Sequence, residues 1–93
     1  DPCSDIADER VESAFDDPIP LGDRWLVTHT CFVSWRPQRS ELYLLEQDGS
    51  DPRPVAATDQ PGLYFGHPTT VDGTVVVPEL DINGSTTLLH LHT

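Results

Sequence analysis

The chain has no lysine. Five arginines face sixteen acidic residues, for a formal net charge of −11 over 93 residues. A surface so poor in cations repels phosphate backbones and anionic headgroups, which argues against nucleic-acid binding and suits basic partners or cations. The missing lysine itself reads as the habit of a high-GC or halophilic genome, because net charge bears on solubility and not on fold. Long apolar runs are absent too: none approaches the roughly 20 residues of a membrane-spanning helix, so no membrane span is expected. The sequence has neither an initiator methionine nor a signal-like apolar region, which fits a processed mature chain beginning at Asp1.

Cysteine is scarce. Cys3 and Cys31 belong to no Cys-x-x-Cys motif, which leaves redox catalysis, iron–sulfur binding and covalent haem attachment without support. The pair allows one intramolecular bridge, which would stabilise the fold by roughly 3.5 kcal/mol on the chain-entropy model. Two unrelated thiols in a reducing compartment is the other reading. The bridge is preferred because a domain this small buries only about 60 to 65% of its unfolded surface and gains from a staple. A bridge in turn predicts an extracellular or periplasmic location.

The charge is uneven. Residues 1–23 hold eight acids and one arginine, whereas residues 24–93 hold eight acids and four arginines. The chain therefore divides into an acidic N-terminal segment, 1–23, and a β-sheet domain, 24–93. Within residues 4–15, Ala7, Val11, Ala14 and Phe15 fall on one helical stripe, and Asp5, Asp8 and Glu9 load the first turn, where the helix dipole favours anions. This predicts one short helix, stopped by Pro18 and Pro20. The acidic segment is a solvated face or a docking arm for a basic partner.

The remainder alternates with period two. Over residues 24–35, Trp25, Val27, His29, Cys31, Val33 and Trp35 share one face, expected to be core, with both tryptophans as packing residues. Residues 36–40 are predicted as a connection and 41–47 as the next strand. A turn-rich loop and a short edge strand at 55–58 follow. Asp72-Gly73 and Asn83-Gly84, set between apolar runs, are strong hairpin signals because both residues of such turns take positive φ. The fold class expected is mainly β: an antiparallel meander of about five or six strands with one short N-terminal helix.

Arg24-Trp25-Leu26-Val27, then Glu41-Leu42-Tyr43-Leu44-Leu45 running into Asp48-Gly49-Ser50 and Pro54-Val55, make one pattern. His67-Pro68-Thr69-Thr70-Val71-Asp72-Gly73-Thr74-Val75-Val76-Val77 and residues 87–92 make a second. Together they resemble the TolB-like β-propeller repeat over residues 21–92, about one and a half blades where a closed propeller needs at least four. The resemblance implies a blade-like sheet and a binding or scaffolding surface. A fragment, a piece that completes a larger assembly and an unrelated small sheet protein all remain open.

Catalytic signatures are missing. No serine sits in a Gly-x-Ser-x-Gly elbow, so no catalytic residue is assigned and the reading leans away from an enzyme. Four histidines stand out. His90 and His92, two apart on a strand, project from one face about 6.5 to 7 Å apart and are placed to share a metal. His67 is the third ligand chosen, with Glu79 and His29 as further candidates, and zinc or copper as the metal. Two solvated histidines are the plainer reading, and no other cofactor is expected. The Asp/Asn/Ser-rich turns at 48–51 and 81–85 are explained by turn formation. The function expected is a non-catalytic exported β-sheet module acting through protein–protein interaction or self-assembly. A small metal-binding protein using the His-x-His strand is the alternative.

Overall fold

The computed structural model describes residues 3–92, and of His92 the backbone alone. It is built of antiparallel strands in two sheets, with no helix among the described residues. The first sheet holds β1 (Val11–Phe15), β2 (Ile19–Leu21), β3 (Arg24–Val33), β4 (Arg36–Leu45) and β5 (Arg53–Ala57). Its order is β1-β3-β4-β5, and β2 pairs with β3 beyond the end of β1. The second holds β6 (Leu63–Phe65), β7 (Thr69–Val71), β8 (Thr74–Asp81) and β9 (Thr86–His92), with β6, β7 and β9 all paired to β8.

Two expectations are corrected. Residues 4–15 form no helix: turns precede β1, and Val11–Phe15 pairs with β3 from Val33 to His29. A helix so short is marginal alone, and Val11 and Phe15 suit a strand as well as they suit a helical stripe. Residues 11–21 thus supply the edge of the first sheet. Nor do residues 36–40 connect two strands, because β4 begins at Arg36. The turn is Ser34-Trp35, both at positive φ (50° and 69°), the conformation of a two-residue hairpin turn. Neither residue type advertises it.

Strands β1, β2 and β3 of the first sheet repeat as β6, β7 and β8 of the second at a constant offset in sequence. Phe15 pairs with His29 as Phe65 pairs with Glu79. Ile19 pairs with Leu26 as Thr69 pairs with Val76, and Leu21 with Arg24 as Val71 with Thr74. The break in each edge is bridged alike, Asp16 N–H donating to Thr28 O at 2.9 Å and Gly66 N–H to Pro78 O at 2.8 Å. At Gly66 a side chain has no room: a Cβ would stand 2.9 Å from Pro78 Cγ and 3.0 Å from Leu80 Cδ1. Prolines 18 and 68 lie in these breaks, where the lost N–H costs no ladder bond.

The core lies between the sheets. Leu26, Leu42, Phe65, Val75 and Val77 are buried there, with Ile19, Leu21, Leu44, Ala56, Leu89 and Leu91 packed around them. Leu26 and Leu42 therefore face the second sheet, and so do Thr30 and Ser40, whose hydroxyls bond at 2.7 Å. The face expected to be core is the opposite one. Val27, His29 and Cys31 on it are buried, but Trp25 is 38% exposed and Trp35, at the hairpin tip, 84% exposed. What covers His29 and Cys31 is the N-terminal segment, tied down by a Cys3–Cys31 disulfide.

Candidate functional site

The outer face of the first sheet carries a ladder of cross-strand pairs: Trp25 opposite Leu45, Val27 opposite Tyr43, His29 opposite Glu41 and Cys31 opposite Arg39. Period-two alternation puts all of them on one side. On the edge strand Phe15 pairs with His29, and their rings lie 4.5 Å apart between centroids. The ladder divides into two parts, one polar and closed, the other apolar and open.

The polar part sits under residues 3–10. Arg39 clamps Asp5 through two hydrogen bonds, Nη1 at 2.7 Å and Nη2 at 2.9 Å. That contact holds the Asp5 carboxyl below its ordinary value and raises the Arg39 guanidinium further above its own. Arg39 Nε also lies 3.4 Å from Glu41 Oε1, and Tyr43 donates to Glu41 Oε2 at 2.7 Å. Burial first, and then the bond to Glu41, pushes the Tyr43 phenol up to about 12. His29 has its Nε2 3.7 Å from Cys3 Sγ and its Nδ1 3.7 Å from Glu41 Oε1. It is shut off from solvent, though only shallowly. Desolvation depresses its pKa, against the opposing pull of Glu41, so the ring is held neutral. Among the described residues, neither His29 Nδ1 nor Glu41 Oε1 has a hydrogen-bond partner.

The apolar part is a groove of about 450 Å³ lined by Phe15, Val27, Tyr43, Leu45 and Pro52. Among the described residues, no charged side chain lines it. Phe15, 63% exposed, stands at its rim.

The histidines chosen from the sequence sit elsewhere. In the register of β8 and β9, His90 lies opposite Val76 and His92 opposite Thr74, which puts them on one face of the second sheet, the face away from Val75 and Val77. His67 lies in the break between β6 and β7, across β8 from β9, and its Nδ1 is 3.2 Å from Asp16 Oδ2. Among the described residues, the one cluster of metal-ligand type is Cys3, His29 and Cys31, all buried, with ligand atoms within 4.8 Å of one another. Sequence reasoning noticed His29 as the single polar member of an apolar strand face. It missed the cluster because Glu41 and Cys3 reach His29 only through strand register and the folding back of the N-terminal segment. No family model, curated protein or solved structure matches the chain. No helix among the described residues is long and apolar enough to cross a membrane.

Proposed function

We propose that the chain is a non-catalytic, exported β-sheet module that works by protein–protein interaction, as a component of an assembly built from copies of itself. One observation carries this reading. The inward face of the first sheet, at Leu26, corresponds by the constant offset to the outward face of the second, at Val76. The inward face of the second, at Val75 and Val77, corresponds likewise to the outward ladder of the first, at Trp25 and Val27. Stacking of this kind is directional, and it leaves a complementary half-interface at each end. Heterologous contacts of that sort close into rings or extend as filaments.

Charge agrees with the reading. In a chain of net charge −11, neither the groove of Phe15, Val27, Tyr43, Leu45 and Pro52 on one sheet nor the stretch of Val76, Pro78, Leu80, Leu88 and His90 on the other includes an acid. Leu88 is 54% exposed on that second surface. The outer edge of β9 adds to this. β4 carries β5 on its far side, whereas among the described residues no strand pairs with the far side of β9. An open edge invites a further strand. The disulfide suits a compartment that does not reduce it, and the propeller-repeat likeness is of the same blade-on-blade kind.

The test uses the direction of the interface. Leu45→Asp disables the groove and Leu88→Asp the opposite surface, so each variant alone should sediment as a monomer while the wild type associates. Mixed, the two variants should form a one-to-one dimer, because each retains the surface the other has lost. Wild type that stays monomeric, or variants that fail to complement, would refute the proposal.

A further inference from the structure

The cluster beneath the N-terminal segment has a second chemistry that does not depend on the assembly reading. We propose that reduction of the Cys3–Cys31 disulfide converts this cluster into a zinc site with Cys3 Sγ, Cys31 Sγ and His29 Nε2 as ligands. The three ligand atoms already lie within 4.8 Å of one another and all three residues are buried. Zinc–sulfur and zinc–nitrogen bonds of about 2.3 and 2.0–2.1 Å at tetrahedral angles set neighbouring ligands about 3.6 Å apart. Cys3 Sγ and His29 Nε2 stand at 3.7 Å. Once the sulfur–sulfur bond is broken, the two sulfurs have only to part to a similar distance, which thiols do in any case because their van der Waals radii forbid closer approach.

The groups around the ligands suit the same end. A zinc-bound histidine commonly directs its other ring nitrogen to a carboxylate, which fixes the ring and raises its basicity. Here His29 Nδ1 faces Glu41 Oε1 at 3.7 Å, and Glu41 is in turn held by Tyr43 and Arg39. Arg39 Nη2 lies 3.9 Å from Cys31 Sγ, where its charge favours a thiolate. Two thiolates and one imidazole leave the fourth position to water, the donor set of an open zinc centre.

The chemistry balances with a named reductant. A phosphine attacks the disulfide, and with one water gives two thiols and a phosphine oxide. Zinc then displaces two protons as both sulfurs bind. The site is therefore exclusive with the disulfide, and the N-terminal segment is fastened to β3 by sulfur–sulfur bonding in one state and by metal in the other.

The experiment reduces the full chain with a water-soluble phosphine, removes oxygen and titrates zinc against a chromophoric chelator. One zinc per chain is expected, with two protons released per zinc and affinity at least 100-fold above that of the Cys3→Ser/Cys31→Ser variant. His29→Gln should lose at least tenfold. Cobalt(II) in place of zinc should give the sulfur charge-transfer absorption and intense visible bands of a four-coordinate thiolate site. The oxidised protein, and a His90→Ala variant in both states, separate this site from the histidines of β9. Oxidised protein should bind no zinc at the cluster, and reduced His90→Ala should bind as the wild type does. The proposal is overturned if the reduced chain binds zinc no better than the double-serine variant, whether or not it stays folded, or if cobalt shows a six-coordinate spectrum.

Discussion

Trp35 and Gly66 show what single positions cost and permit. Trp35 sits at φ 69° with its side chain 84% exposed, a conformation that crowds any Cβ and that glycine adopts freely. Trp35→Gly is therefore expected to stabilise the fold by about 1 kcal/mol, read as a higher urea midpoint at unchanged slope. Gly66 is the opposite case. Its Cβ position stands 2.9 Å from Pro78 Cγ, so Gly66→Ala should destabilise by about 1–3 kcal/mol through overpacking. His29 governs the response to pH. Its folded pKa lies below the ordinary 6.5 because burial disfavours the imidazolium, so the unfolded chain takes up the proton first. Stability is full above the unfolded value and falls as pH drops through 6.5, by at most about 1.4 kcal/mol per pH unit for one group. Urea midpoints at pH 7.5 and 5.5 should show that decline in the wild type and a flatter profile in His29→Gln.

At the scale of elements, residues 3–10 are fastened to the first sheet by the Cys3–Cys31 bridge and by the Arg39 clamp on Asp5. The Cys3–Cys31 bridge spans a sequence separation of 28, and its removal as Cys3→Ser/Cys31→Ser should cost roughly 3.5 kcal/mol on the loop-entropy account. Proteolysis confined to the first ten residues should appear in that variant before any cut within β3 or β4. The elements differ in how far the sequence foretold them. Asp72-Gly73 is legible because both residues take the positive φ of the two-residue turn that joins β7 to β8. In the longer loop that joins β8 to β9, Gly84 takes positive φ and Asn83 does not, against the expectation for that pair. Ser34-Trp35 is not legible, since the conformation there is imposed by pairing of the long strands on either side. Val11–Phe15 misled for a related reason: four residues on a helical stripe outweighed a pairing partner that lies far along the chain. The disulfide was readable from a count of two cysteines. The neighbours His29 gains from it were not, because residues 3–10 carry no pattern that says which sheet face they will lie on.

At the scale of the molecule, two sheets stack in a layer whose shortest extent is 18 Å, and the repeat between them has no internal closure. Each sheet meets the other through the side that its counterpart turns outward, so the stacking is directional. A symmetric sandwich would instead turn both polar faces outward. The proposed contacts fall on the two apolar stretches of an otherwise acidic chain, the groove of the first sheet and the Leu88 surface of the second. Mass in solution, measured by light scattering across a hundredfold range of concentration at physiological salt, tests this account most directly. It predicts a mass that rises from near the 10.3 kDa of one chain to a defined multiple, reached through the complementary surfaces at Leu45 and Leu88. A mass of 10.3 kDa at every concentration would contradict it.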